Sequence, residues 1–262
     1  MELEKGEAAT KERRRGTGIR CFDAAIVAPC LALATRGALA SITMEPTNFR
    51  PVLGAEYWSG LPLVFRSNTP PGAAREDYLV PDFGLTVIDL RTPAEAQANP
   101  HALRGREGYR NLPLHSAQQA RPASPVYELD ELYRFWLAQD EVNLARIFDA
   151  CAGDSDTTLV CCSAGKDRTG IIVAILSRLW GASDSDLARD YALSGVNMRV
   201  AFEAELAASM NPDQTRRMIS ADPAAILRVI HGLEAAHGTI AGYLRRIGVA
   251  ESRLEILRGL AS

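Results

Sequence analysis

Cys162 and Arg168, six positions apart in the stretch LVCCSAGKDRTG at 159–170, are the residues whose types and spacing suggest chemistry. The stretch joins a strand-like run, TTLVCC at 157–162, to a nearly all-apolar helix-like run, TGIIVAILSRLW at 169–180. The first N–H groups of a helix have no carbonyl partner within it. Together with the helix dipole they attract an anion. A short glycine-containing loop before the helix aims further N–H groups at the same spot. A thiol at Cys162 would face that field, which favours thiolate over thiol and makes a nucleophile at neutral pH. Arg168 follows where the loop curls back, and its planar fork can hold two oxygens of a tetrahedral oxyanion. Thr169 adds a hydroxyl beside the sulfur, Lys166 adds local charge, and Asp167 places a carboxyl at the loop's mouth. Such parts can move a phosphoryl group onto sulfur and then onto water.

Other readings of the stretch fit less well. A nucleotide-binding loop of the Gly-x4-Gly-Lys-Ser/Thr type requires glycine where Val160 stands and a hydroxyl residue where Asp167 stands. Adjacent cysteines chelate poorly, and no Cys-x2-Cys or His-x3-His pair exists, so no metal site is expected. A buried structural cysteine with a chance arginine explains Cys-x5-Arg alone. It does not explain the whole string between a strand and a buried helix.

Several elements must position this loop. LPLVFRS at 61–67 reads as a short strand before a turn, and LTVIDLR at 85–91 as a buried strand ending in Asp89 and Arg91. Thr92-Pro93-Ala94-Glu95 reads as a helix start: a cap, a proline at the first helical position, and a glutamate three residues after the cap. YRNLPLH at 109–115 reads as a weaker strand. Residues 127–151 carry helical spacing through Leu129, Leu132, Phe135 and Trp136, then Leu144, Ile147 and Phe148. From 182 onward helical segments begin near Ser183, Met198, Asp222 and Thr239, with Gly238 and Gly248 as stops. Strands alternating with helices, followed by an all-helical third, predict an α/β domain with a helical elaboration.

With 262 residues, 47% of them hydrophobic, the chain can build one full-sized core. The formal net charge of −3 gives no global footprint for nucleic acid or an anionic membrane. The five cysteines, Cys21, Cys30, Cys151, Cys161 and Cys162, are odd in number and irregular in spacing, as expected in a reducing, cytoplasmic setting rather than a disulfide framework. No apolar run reaches about 18 residues, so stable membrane insertion is not expected. Residues 1–43 read as an N-terminal extension, disordered or non-native, ahead of a domain over 44–262, and translation could begin at Met44. Residues 11–40 imitate a secretory signal, which would mean secretion, but Asp23, Pro29 and Arg36 interrupt the pattern. His101, His115, His231 and His237 share no spacing and read as surface or helix residues. Trp58, Trp136 and Trp180 read as core or rim.

CSAGKDRTG at 162–170 resembles the active loop of cysteine-dependent phosphatases, in particular the bacterial atypical tyrosine or dual-specificity phosphatases with the loop His-Cys-x-x-Gly-Lys-Asp-Arg-Thr-Gly. NFRPVLG at 48–54, VFRS at 64–67, VIDLRTPAE at 87–95, NLPL at 111–114 and HGTIAGYLRRIGV at 237–249 are similar to that family's other signatures and occur in its order. The resemblance implies a central, mostly parallel sheet flanked by helices, with a helical lid over about 182–236. It implies hydrolysis of phosphate monoesters through a phosphocysteine and no cofactor. The expected substrate is a phosphotyrosyl protein, with phosphoserine, phosphothreonine or phosphoinositides as further options. A pseudophosphatase that binds phosphate without turnover is the alternative from another class. Carried over by position, Cys162 is the nucleophile, Arg168 the phosphate clamp, and the backbone of Ser163, Ala164, Gly165, Lys166, Asp167 and Arg168 the phosphate cradle. Thr169 would assist breakdown of the intermediate. Asp167 is the first candidate for general acid and Asp89 the second. Arg66 would face substrate or pair with an acid. Lys166 is shared with phosphoinositide phosphatases.

The chain departs from the family pattern in two places. Pro51-Val52 stands where the opening motif has aspartate, which removes any contact that aspartate makes. Cys161 stands where the family has histidine, and cysteine is the weaker hydrogen-bonding group. Slower turnover than in histidine-bearing relatives is expected, or a redox role for the cysteine pair. Cys161→His should then alter the rate and the pH profile, measured on an aryl phosphate.

Overall fold

The computed structural model describes residues 46–53, 63–78, 84–116, 127–153, 155 and 157–259. The expectations about the N-terminal extension, the signal-like segment and Met44 fall outside these residues. Five strands make one sheet: β1 (Arg50–Pro51), β2 (Leu63–Ser67), β3 (Leu85–Asp89), β4 (Tyr109–Asn111) and β5 (Thr157–Cys161). Their order is β1-β2-β5-β3-β4. β1 runs antiparallel to β2, and the other pairings are parallel. All five residues of β5 are buried, as a β-branched and apolar run at the centre of a covered parallel sheet must be. β4 stops at Asn111, short of the expected 115, because Pro113 has no N–H to continue the ladder.

Register decides which side chains can meet. Leu63, Thr157 and Leu85 lie abreast, as do Phe65, Leu159 and Val87, and then Ser67, Cys161 and Asp89. Side chains alternate between faces along a strand. One face therefore carries Leu63, Phe65, Leu85, Val87, Leu159 and Cys161, which pack with Tyr78 and Leu103 in a small cluster. The other face carries Val64, Ile88 and Val160 into the main core, where Cys162 also lies.

The described helices are α1 (Pro93–Ala98), α2 (Leu129–Leu137), α3 (Glu141–Cys151), α4 (Asp167–Leu179), α5 (Asp184–Asn197), α6 (Arg199–Ala207), α7 (Pro212–Ile219), α8 (Pro223–His237), α9 (Ile240–Arg246) and α10 (Glu251–Leu257), and all but α1 and α6 pack on the main core. The helical stretch at 127–151 divides at Asp140, whose carboxylate accepts from the Asn143 N–H at 2.9 Å and caps α3. α4 is buried nearly all round. Ile171, Ile172, Ile175 and Leu176 are each fully buried, and each contributes about 1.5–3 kcal/mol of transfer free energy. α4 ends at Gly181, which takes φ +88°, a conformation costly for any residue with a Cβ. α8 places Ile226, Val229 and Ile230 in the core, whereas α6 buries Phe202 alone and α7 buries nothing. Within 182–236, the stretch expected to form a lid, α5 and α8 pack into the core. Only α6 and α7 are loosely seated. No helix among the described residues is long and apolar enough to cross a membrane.

His101 is buried and not a surface residue. It accepts the Leu103 N–H on Nδ1 at 3.0 Å and its ring lies 4.8 Å from that of Tyr78. Burial lowers its pKa to about 4, against the partial opposition of Asp89. A depressed histidine stays neutral in the fold while the unfolded chain takes up a proton, so stability falls as pH drops from the unfolded value toward the folded one. Between about pH 7 and pH 5 this group should cost about 2 kcal/mol. Urea unfolding across that range should show the loss in the wild type and a flatter profile in His101→Phe.

Candidate active site

The loop from Cys162 to Arg168 leaves β5 at the C-terminal edge of the sheet and enters α4 at Asp167. Three of its carbonyls are held from outside. The Thr69 N–H donates to Ser163 O at 3.0 Å, Asn48 Nδ2 to Ala164 O at 2.9 Å, and Arg66 Nη2 to Gly165 O at 2.6 Å. In a planar trans peptide the N–H points opposite to the C=O. Pinning these carbonyls outward turns the N–H groups of Ala164, Gly165 and Lys166 inward, which makes a concave nest of donors. Gly165 takes φ +66°, and a Cβ there would meet Ser67 backbone atoms at 2.5 Å, so the close approach of loop to β2 requires glycine. Cys162 lies in the floor at 2% exposure.

Arg168 closes the rim. Its Nη1 donates to Glu95 Oε2 at 2.7 Å and its Nη2 to Glu95 Oε1 at 2.8 Å and to Ser163 Oγ at 3.1 Å. Glu95 thereby serves twice, because it also accepts the Thr92 N–H in the capping box of α1. Burial alone would raise the Glu95 carboxyl. The hydrogen bonds and charge of Arg168 outweigh it and hold the pKa at about 2. With both terminal nitrogens on Glu95, the Nε edge of Arg168 makes no hydrogen bond among the described residues.

A pocket of about 240 Å³ opens above Cys162, small for a ligand site. Ser163, Ala164, Asp167 and Arg168 form its base, and His115, Tyr127, Leu132, Trp136 and Met218 its walls. Asp167 accepts a hydrogen bond from Tyr133 OH and pairs with Lys166 Nζ at 2.7 Å. Tyr133 OH in turn lies 2.5 Å from Tyr191 OH. Burial first, and Asp167 second, push the Tyr133 phenol well above its usual range, so it stays a donor. Thr169 is fully buried, and its hydroxyl has no hydrogen-bond partner among the described residues.

A sequence model of the tyrosine phosphatase family matches residues 48–260, a span that contains every one of these groups. The chain belongs to that family. A tyrosine-protein phosphatase from Nostoc commune is 28% identical over 190 residues, which cover 65% of this chain, and the chain spans 64% of that relative's length.

Within this phosphatase-family site the sequence candidates part company. Cys162, Asp167, Arg168 and the loop backbone come together, with Thr169 directly behind them. Asp89 does not join them. Its register with Cys161 puts it on the opposite face from Cys162, fully buried and held by Arg91 through Nε at 2.9 Å and Nη2 at 2.6 Å, with Tyr109 OH at 2.8 Å. Arg66 is fully buried and turned to Asp190 and Gly165 O, so it supports the loop from behind. The Lys166 ammonium is committed within the protein. Its Nζ donates to Met218 O at 2.9 Å and Ser220 O at 2.7 Å as well as to Asp167, which occupies all three of its N–H bonds. The cysteine doublet is split by the sheet. Cys161 packs in the small cluster and Cys162 in the main core. Burial holds the Cys161 thiol well above its usual pKa, so it stays protonated. A disulfide between the two requires neighbouring sulfurs, which this arrangement denies. Reading the sequence missed Glu95 as a clamp, Tyr133, Tyr191, and His115 as a pocket wall. The Thr92-x-x-Glu95 spacing was the one available signal, and it pointed only to a helix start.

Proposed function

We propose that the chain hydrolyses phosphate monoesters, above all phosphotyrosyl protein, through a phosphocysteine on Cys162. The observation that carries this reading is the nest: three loop carbonyls tied outward around a cysteine, with the Arg168 fork at the rim. The Cys162 thiolate attacks phosphorus, and the bond from phosphorus to the tyrosyl oxygen breaks as Asp167 gives that oxygen its proton. Water then attacks the phosphocysteine. Asp167 takes the water's proton, the S–P bond breaks, and inorganic phosphate leaves. Inward N–H groups and Arg168 hold the charge on the equatorial oxygens throughout. We assign to Thr169, whose hydroxyl has no partner among the described residues, the assistance to breakdown of the phosphocysteine. We assign Asp89 and Arg66 to positioning and not to proton transfer or substrate contact.

The test is a rapid-quench experiment on a phosphotyrosyl peptide in excess chelator. Covalent phosphate on Cys162 is expected. Turnover that stops with chelator, or turnover without any phosphoenzyme, would sink the mechanism. Asp167→Asn is expected to slow the peptide reaction by about 10²-fold or more while costing far less on an activated nitrophenyl ester, whose leaving group needs no proton. Steady-state rates on the two substrates check this.

A further inference from the structure

Asp167 sits in a closed circuit of four side chains. Its Oδ1 accepts the Tyr133 hydroxyl hydrogen, and the Lys166 ammonium lies 2.7 Å from the same oxygen. Tyr133 has a single O–H, and that hydrogen is committed to Asp167. The hydrogen between the two phenol oxygens, 2.5 Å apart, must then come from Tyr191. Tyr191 closes the circuit, because Lys166 Nζ lies 5.9 Å from the centre of its ring. Tyr133, Tyr191 and Lys166 are each buried to 1% exposure or less.

Three helices hold these groups. α2 brings Tyr133, whose ring stacks on Trp136 at 5.8 Å, and Trp136 stacks on His115 at 4.8 Å. α5 brings Tyr191, next to the Asp190 that binds Arg50 and Arg66. α4 brings Asp167 and, within its first turn, Gly170. A Cβ on Gly170 would stand 3.2 Å from Cδ2 and Cε2 of Tyr191, so glycine there lets the phenol lie close against the helix. Burial, then Asp167, pushes the Tyr191 phenol above its usual range, so it stays protonated as Tyr133 does.

We propose that Tyr133 is the positioning residue for the general acid, with Tyr191 acting through it, and that the pair reserves Oδ1 of Asp167 so that Oδ2 carries the proton that moves. The proposal rests on the reading of Asp167 as the acid. Oδ1 faces a phenol hydrogen and an ammonium, and a third hydrogen on it would have to displace one of them. In the first step the Oδ2 proton passes to the tyrosyl oxygen as the S–P bond forms and the P–O bond breaks. In the second, Oδ2 takes a proton from water as the water oxygen bonds phosphorus and the S–P bond breaks. The Tyr133 proton stays on its own oxygen throughout. Neither phenol is among the described residues that line the pocket, so both act through Asp167 and not on substrate.

Phosphoenzyme formation, followed by rapid quench on aryl phosphates of increasing leaving-group basicity, tests the assignment. Tyr133→Phe keeps the ring against Trp136 and removes the hydroxyl. It should slow the most basic leaving group roughly tenfold and a nitrophenyl ester far less, with little change in KM. Tyr191→Phe should show a smaller loss with the same dependence on leaving group. Adding Tyr191→Phe to Tyr133→Phe should cost nothing more, and neither should adding Tyr133→Phe to Asp167→Asn, because each group acts through the next. Inorganic phosphate, titrated by calorimetry, should bind Tyr133→Phe as it binds wild type, which shows the nest intact. An equal loss on every leaving group, additive losses in the double variants, or no loss overturns the proposal. If Asp167→Asn itself slows every leaving group alike, the acid assignment fails and the proposal falls with it. If Asp167→Asn shows the dependence and Tyr133→Phe does not, the acid stands and the positioning role alone is refuted. Should Tyr133→Phe bind no phosphate, Tyr191→Phe carries the same test from one hydroxyl further away.

Discussion

Cys162→Ser is expected to lower turnover of an aryl phosphate by about 10⁴-fold or more, with phosphate-ester binding retained. Serine fits the same floor position and leaves the nest intact, because the loop's shape comes from Thr69, Asn48 and Arg66 pulling on its carbonyls and not from the thiol. What changes is the nucleophile. A hydroxyl has little tendency to ionise near neutral pH and is the poorer nucleophile. Neither Asp89 nor Cys161 is in position to activate the serine. Asp89 is across the sheet, and Cys161 is a buried thiol on that far face. Steady-state rates paired with calorimetry separate the two effects. A Cys162→Ser rate within tenfold of wild type would place the nucleophile elsewhere.

Arg168→Lys is expected to cost about 10³-fold in kcat/KM, most of it in kcat. Lysine keeps a charge and loses the fork. It cannot engage both oxygens of Glu95 while also holding two oxygens of a transferring phosphoryl group. The loss should appear most strongly in the chemical step, where charge spreads over the equatorial oxygens. Glu95 stabilises the wild-type pair with a definite sign. Its pKa in the fold, about 2, is below the unfolded carboxylate value, so its contribution is complete above that value and is lost as pH falls toward about 2. Glu95 therefore stays ionised across any practical assay. An acid limb in the rate profile near neutral pH must come from another group, and it should persist in Arg168→Lys.

The legible parts of the site were those contiguous in sequence. Strand, loop and helix at 157–180 announce themselves because a β-branched run, a glycine and an apolar run follow one another, and the nest is made by that order. The sheet class was also readable, since buried strands alternate with helix starts. Residues brought in by the fold were not. Glu95 reaches Arg168 from 73 positions away and Tyr133 reaches Asp167 from 34. Nothing local distinguishes a capping glutamate that also clamps an arginine from one that only caps. Asp89 misled because a carboxylate at a strand's end is a common catalytic position. Its phase relative to β5 decides the matter, and phase needs a register. His115 was passed over because neither its spacing nor its neighbours reveal that Trp136 will stack on it.

Asp190 on α5 accepts from two guanidinium groups at once, Arg50 of β1 and Arg66 of β2 behind the loop, and Ser194 one turn on receives both as well. Burial, then the neighbouring Arg66, lowers Arg50 to a pKa of about 10, and the shared carboxylate is what keeps two such cations tolerable in one place. The molecule is consequently not modular in the way its element order suggests. The first strand, the reactive loop and the C-terminal helices are soldered at a single joint. An exchange of helices with a relative would carry the loop's geometry along with it, and a cut between sheet and helices would leave neither half with its charge balanced.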